Sequence, residues 1–156
     1  MTVLGTRFDS TTRLLAVASA FALALLSGCA AQAGTEFDTG KDVALPGWQL
    51  EFQNINPAIK MAAAYGDRSE GAHGSFGRFP PNFETPVHTH TGAYHGIVIK
   101  GVMTNPFKGE ETPPTMEPGS YWYVPTGSAH ATACVSNIPC EFYFYADEAF
   151  DFHFVE

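Results

Sequence analysis

The chain has 156 residues and a formal net charge of −8, with 16 acidic against 8 basic side chains. Nucleic acid demands a basic face, and no basic stripe or recognition helix is visible, so nucleic acid is excluded as a partner. Glycine (15), proline (11) and phenylalanine (13) are plentiful while helix-period patterns are scarce, which favours a single all-β domain.

The first 28 residues have the pattern of a cleaved targeting segment. Arg7 and Arg13 flank the start of an uncharged apolar run, residues 14–26. This run is too short to cross a bilayer as a helix and fits the apolar region of a signal peptide. Residues 26–29, Leu-Ser-Gly-Cys, resemble the bacterial lipobox, whose cysteine is lipidated before cleavage.

The lipobox resemblance implies that the mature chain begins at Cys29 and is held to a membrane by its acyl chains. Ala30 rather than an aspartate follows the cysteine, which favours the outer membrane of a bacterial cell envelope, with the domain facing the periplasm. The alternative is an ordinary secretory signal cut near Ala30 or Ala33. Residues 29–47 are small, polar and turn-rich and indicate a flexible tether, which leaves residues 48–156 as the folded domain.

Strand-like runs bounded by turn residues follow one another through this domain. Residues 59–65 alternate with period two; their alanines also allow a short helix capped by Asn56, but we favour the strand. The further predicted strands are residues 74–79, 87–90, 96–100, 102–107, 120–124, 129–135, 141–145 and 150–155. Short strands at this spacing suggest a closed barrel or jelly roll. Its interior is expected to hold the aromatic side chains Tyr121, Trp122, Tyr123, Phe142 and Phe144.

Two cysteines remain if Cys29 carries lipid. Cys134 and Cys140 flank a turn between two strand-like runs. We predict a hairpin in which they form a disulfide, which an exported, oxidising location permits. The alternative is a pair of free thiols with Cys134 facing the barrel interior.

Histidines carry the chemistry of this chain. On a strand, His88 and His90 point to the same face, and His130 follows forty residues later. A strand that returns beside the pair would close a three-histidine metal site, and imidazole suits Zn, Cu, Fe and Ni. Ligation requires neutral imidazole, so we expect metal affinity to fall as the pH drops toward about 6.5. His73 and His153 stand apart and fit surface or core roles.

Two stretches resemble the motifs of the cupin superfamily. The first motif is Gly-x5-His-x-His-x3-4-Glu-x6-Gly, and the second is Gly-x5-Pro-x-Gly-x2-His-x3-Asn. The positions that match are His88, His90, Gly101, Gly119, Pro125, Gly127 and His130. The resemblance covers about residues 55–150 and extends to small single cupins of unassigned activity, related to the anti-sigma-factor ChrR type. It implies a double-stranded β-helix, or jelly-roll barrel, holding one divalent transition metal (Fe, Zn, Mn, Ni or Cu).

The chain departs from the first motif at the glutamate ligand. Counting three residues on from His90 brings Tyr94 into that slot, while counting four brings His95 there. Adjacent strand residues face opposite ways, so at most one of them points at the metal. Tyr94 fits the spacing and His95 is the better ligand chemically, so both remain open. Asn82 replaces a motif glycine, and asparagine tolerates a left-handed backbone.

A site of neutral imidazoles leaves the charge of a divalent ion uncancelled, which strengthens it as a Lewis acid and favours an anionic ligand. Three-histidine members of the superfamily include oxygenases. The resemblance therefore implies a small-molecule metalloenzyme of dioxygenase type, with an isomerase second. The alternative is a non-catalytic cupin lipoprotein that binds or senses a metal or small ligand at the envelope. We expect a small-molecule ligand as partner and leave a homodimer open.

Overall fold

The computed structural model of the protein describes residues 41–155, so the predicted signal peptide and Cys29 lie outside the described residues. Within this range a single 3-10 turn, Gly47–Gln49, precedes eleven short strands. No helix in the described range is long and apolar enough to cross a membrane. The strands are β1 (Gln53–Asn54), β2 (Lys60–Tyr65), β3 (His73–Phe79), β4 (Phe83–Glu84), β5 (His88–Thr89), β6 (Tyr94–Lys100), β7 (Met103–Thr104), β8 (Tyr121–Val124), β9 (Ala133–Cys134), β10 (Cys140–Ala146) and β11 (His153–Phe154).

These strands form an antiparallel barrel. Six of them make one sheet in the order β1-β2-β3-β10-β6-β8, three make a second in the order β4-β9-β7, and β5 pairs with β11. An isolated bridge between His88 and His130 adds a further contact across the barrel. The architecture is the all-β cupin barrel that the sequence predicts.

The core is built from strands whose side chains alternate between the interior and the surface. Along β10 every second residue is buried, which directs Phe142 and Phe144 into the barrel beside Val98 and Trp122. Trp122 lies directly over Gly96, where an added Cβ would come within 2.0 Å of the indole ring. A glycine is therefore needed at this position of β6 for the barrel to hold tryptophan.

The aromatic run at β8 only half follows the sequence prediction. Trp122 is buried, but Tyr121 and Tyr123 are 57% and 43% exposed on the outer face of the sheet. The prediction that both tyrosines fill the barrel is wrong, because adjacent residues of a strand point to opposite faces. Because Trp122 lies between the two tyrosines, the strand can bury either the tryptophan or the tyrosines, and it buries the tryptophan.

The strand predicted for residues 59–65 is confirmed as β2, and the helical alternative is wrong. The side chain of Asn56 does act as a local acceptor, taking hydrogen bonds from the backbone N–H groups of Ala58 and Ile59 at 2.8 Å each. These bonds close a turn that leads into the strand rather than a helix. The pairing of β2 with β3 then fixes its extended backbone.

The turn residues of the two motifs have the backbone they were expected to need. Asn82 has φ of 54° and Gly127 has φ of 69°, in the left-handed region that asparagine and glycine tolerate best. The turn at Gly127 is held by its N–H, which donates to the carbonyl of His90 (2.9 Å). It therefore returns the chain to the histidine pair just before His130.

The structure joins Cys134 to Cys140 in the predicted disulfide. The two cysteines do not, however, belong to one hairpin. β9 pairs with β4 and β7, whereas β10 pairs with β3 and β6. The predicted hairpin is wrong because each strand finds its partners far along the chain, and the disulfide links two sheets instead.

Candidate metal centre

Three histidines meet inside the barrel. His88 and His90, two residues apart at β5, are 3% and 2% exposed, and His130 is fully buried. The main chain holds His130 opposite His88: the N–H of His88 donates to the carbonyl of His130 (2.9 Å) and the reverse bond is 3.0 Å. One ligand atom from each ring lies within 4.8 Å of the others. The sequence-predicted trio is thus brought together.

Each of these rings donates a hydrogen bond from Nδ1 to a main-chain carbonyl. The acceptors are Pro86 for His88 (2.8 Å), Ser128 for His130 (2.9 Å) and Asp151 for His90. A carbonyl only accepts, so each Nδ1 carries the hydrogen and each neutral ring keeps a lone pair on Nε2. A metal-binding histidine is oriented in this way. The buried Nε2 of His90 has no hydrogen-bond partner among the described residues, which fits a ligand atom awaiting an ion.

Burial keeps the three rings neutral. It lowers the pKa of His88 and of His90 to about 4, against small upward effects from their carbonyl acceptors, and it also lowers the pKa of His130. Desolvation disfavours the charged imidazolium form. The ligand form of the site therefore persists below pH 6.5, so we expect protonation to compete with metal at a lower pH than the sequence alone predicts.

Tyr94 rather than His95 faces the cluster. Its hydroxyl lies 3.1 Å from Nε2 of His130, and because Nδ1 of His130 already donates, the phenol is the donor. Burial raises the pKa of Tyr94 to about 12, so it stays a neutral phenol at ordinary pH. Tyr94 thus occupies the position of the missing glutamate.

His95 points out of the barrel. Its Nδ1 hydrogen-bonds the hydroxyl of Tyr121 at 2.5 Å, and its ring lies 4.8 Å from that of Tyr123. Of the two residues left open for the fourth ligand position, the structure therefore places His95 away from the three histidines. The reason is the strand phase of β6, which buries Tyr94 and turns its neighbour to the outer face.

A C-terminal strap, residues 150–154, covers the histidines. Phe150 stacks on His90 with ring centroids 4.2 Å apart, and Phe152 stacks on His88 at 4.0 Å. β11 pairs with β5, and the carboxylate of Asp151 accepts a hydrogen bond from the N–H of Thr91 (2.8 Å). Sequence reasoning predicted a strand here but missed its role. The available signal was the phenylalanine at every second position, which gives the segment one aromatic face.

As predicted, His73 and His153 lie apart from the three clustered histidines. His73 is fully buried, with Nδ1 3.1 Å from the hydroxyl of Ser75 and its ring edge against Phe144. His153 is exposed and pairs with the carboxylate of Asp151 at 2.8 Å. Among residues 41–155 the trio at the barrel mouth is the one group of three or more His, Cys, Asp or Glu side chains with ligand spacing.

A small cavity of about 50 Å³ adjoins the cluster. A single water needs about 10–15 Å³, so there is room for an ion with a few small ligand atoms. The walls beyond the histidines are mainly apolar: Ile59, Met61, Phe79, Thr85, Tyr94, Trp122, Thr132, Phe142, Phe144, Phe150 and Phe152. Such walls exclude water and strengthen any electrostatic interaction inside.

Because these histidines are buried, we predict that the free energy of unfolding of the metal-free protein falls in acid. The folded-state pKa is about 4 for His73 and about 4 for His88 and His90, whereas the unfolded chain has about 6.5. Between these values the unfolded state binds more protons, so the free energy of unfolding falls as pH falls through this window. We expect a loss on the order of 1 kcal/mol per histidine, allowing for partial solvation.

Urea unfolding of chelator-treated protein at pH 7.0, 5.5 and 4.5 measures this loss. The pKa of Asp151 is lowered to about 2, so the stability that this carboxylate contributes is lost mainly below pH 4.5. Its titration therefore does not obscure the effect of the histidines. A urea midpoint that stays constant between pH 7.0 and 4.5 would contradict the prediction.

Comparison with known proteins agrees with this architecture. A family model described as a domain of unknown function, DUF4437, matches residues 43–151. No curated protein matches. Solved structures do: the polyketide cyclase RemF from Streptomyces resistomycificus is 15% identical with a TM-score of 0.63, covering 74% of this chain and 87% of that one.

Two further solved structures share the fold. An RmlC-like cupin from Shewanella frigidimarina is 19% identical with a TM-score of 0.55, covering 69% of this chain and 92% of that one. The structure of an oxalate oxidase is 15% identical with a TM-score of 0.56, covering 76% of this chain and 66% of that one. At these identities the similarity establishes the fold and leaves the activity to the residues of the site.

Proposed function

Because the chain belongs to the DUF4437 family and folds as a small cupin domain, we propose that it is a metal-dependent cupin holding one divalent transition ion on His88, His90 and His130. The observation that carries the proposal is the tautomeric arrangement. Each Nδ1–H donates to a main-chain carbonyl, so each Nε2 is unprotonated and can bind an ion. At His130 the ion would replace the hydrogen bond from the Tyr94 hydroxyl. The ion is Fe, Zn, Mn, Ni or Cu, the metals that a nitrogen-rich site accepts.

The activity we propose is a dioxygenase-like reaction on a small molecule, with isomerisation as the second choice. When bound, a divalent ion supplies Lewis-acid chemistry, and a shell of neutral imidazoles leaves its charge available to an anionic ligand. The phenol of Tyr94 offers a proton beside that position. The aromatic wall of Phe150 and Phe152 limits water. The similarity of the fold to that of an oxalate oxidase supports this choice by analogy.

The test combines metal analysis with an oxygen-consumption assay. Detergent-extracted full-length protein would be reconstituted with each candidate metal and offered a panel of diketones and thiols. We expect one metal per chain and oxygen uptake with at least one compound, both lost in His130→Ala and kept in His95→Ala. Stoichiometric metal with no turnover of any compound would reject the oxygenase and leave the binding role.

A second candidate is a non-catalytic cupin that binds or senses a metal or small ligand. The observation favouring it is the strap, which stacks Phe150 and Phe152 on two of the three histidines. In addition, no carboxylate of the described residues joins the cluster to act as acid or base. Tight metal or ligand binding without turnover would establish this role.

We also propose that Cys29 is lipidated and that the domain faces the periplasm, with the outer membrane favoured. The disulfide between Cys134 and Cys140 supports an oxidising compartment. Intact mass spectrometry of protein extracted from membranes should give a chain that starts at Cys29 and carries acyl groups, while Cys29→Ser should remain unprocessed. A mature chain starting elsewhere, with Cys29 free or absent, would refute the anchor.

A further inference from the structure

A groove of about 550 Å³ lies along the strap. It runs between the turn at residues 55–59 and the strap and is mostly apolar. Ile59, Phe150 and Phe152 line both this groove and the small cavity at the histidines. The groove has the size of a small-molecule site, and it shares part of its wall with the cavity beside the three histidines.

Two charged residues line this groove, Arg68 and Asp151. The negative one is already satisfied. One carboxylate oxygen of Asp151 accepts from the N–H of Thr91 (2.8 Å), and the other lies 2.8 Å from Nε2 of His153. Asp151 therefore belongs to the anchoring of the strap and has little to offer a ligand.

Arg68 is in the opposite situation. It is half-buried, and no carboxylate of the described residues lies within 4.0 Å of its guanidinium. Its main-chain carbonyl accepts a hydrogen bond from the N–H of Phe150 (2.7 Å), which ties this residue to the strap. A guanidinium forms its strongest hydrogen bonds with anions, and its planar fork matches a carboxylate.

We propose that the groove binds a small apolar carboxylate, with the acid group on Arg68 and the apolar body against Ile59, Phe150 and Phe152. Charge complementarity carries the choice, because Arg68 is a half-buried cation at an apolar groove. No carboxylate of the described residues lies within 4.0 Å of its guanidinium, and Asp67 acts on it only at longer range. Only one part of this inference rests on the proposed function, namely that the bound carboxylate is the substrate or the sensed ligand of the metal centre. The binding itself does not need the metal.

The test uses a matched pair of probes, 2-naphthylacetate and its neutral isostere 2-naphthylacetamide, titrated into the full-length protein by calorimetry. We expect the acid to bind about tenfold more tightly than the amide. Arg68→Gln should abolish that preference, and Arg68→Lys should restore part of it. Arg78→Gln is the control, because Arg78 pairs with Glu141 and stacks on Phe52 away from the groove.

Equal affinity for the two probes, no binding of either, or a preference that survives in Arg68→Gln would each overturn the proposal. Titration after dialysis against EDTA separates it from the metal hypothesis. The preference should persist in chelated protein, because Arg68 supplies the charge. If it disappears with the metal, the carboxylate sits on the ion and the assignment to Arg68 is wrong. If metal analysis finds no ion but the preference remains, this inference stands while the proposed metal function fails.

Discussion

Replacing His90 by alanine should abolish stoichiometric metal binding and lower the affinity by more than about a hundredfold, since loss of an outer partner of a ligand alone costs 10–100-fold. The Nε2 of His90 is buried and has no hydrogen-bond partner among the described residues. Two imidazoles would remain, and no further His, Cys, Asp or Glu of the described residues lies at ligand spacing from them. Metal content after purification, and competition with a chromophoric chelator, measure the change.

His95→Ala is the matched control for that experiment. It removes an imidazole one residue after Tyr94, but from the outer face, where it contacts Tyr121. We expect its metal content to equal that of the unmodified protein. If His95→Ala loses metal as severely as His90→Ala, the site contains four histidines and the inward assignment of Tyr94 is wrong. If His88→Ala and His130→Ala both retain full metal, the whole metal-centre hypothesis fails.

Ending the chain after Ala149 should reduce metal affinity by about 10–100-fold, the range expected when the groups that orient ligands are lost. This truncation removes the carbonyl of Asp151, which accepts from Nδ1 of His90, and the rings of Phe150 and Phe152. The His90 ring is then no longer held in one tautomer, and water can reach the rings of His88 and His90. Competition titrations at pH 7 compare the two lengths.

The control for the truncation is Phe154→Ala, which changes a side chain of the same segment that is 74% exposed and stacks on no histidine. Its affinity should stay at the full-length value. Phe152→Ala tests the same idea without shortening the chain, and a smaller loss is expected because the Asp151 carbonyl remains. Thermal unfolding checks that each variant folds. A folded truncated protein that binds metal as tightly as the full chain would contradict the role of the strap.

The cluster of His88, His90 and His130 was predictable because its signals are local. The spacing of His88 and His90 places both rings on one face of any strand, whatever the rest of the fold. Pro125 and Gly127 specify a turn through their own backbone preferences, and φ of 69° at Gly127 shows that this preference is used. The all-β class follows in the same way from alternation and turn residues along the chain.

Other features depend on contacts between distant residues, and only the tertiary structure decided them. Spacing left Tyr94 and His95 as equal alternatives; the pairing of β6 between β10 and β8 sets which one is buried. Similarly, Cys134 and Cys140 suggested a hairpin, but their strands pair with different partners in two separate sheets. The strap reaches His90 from 60 residues away. Alternation along a strand determines which side chains share a face. Packing of the core determines which of the two faces is buried and which strands pair.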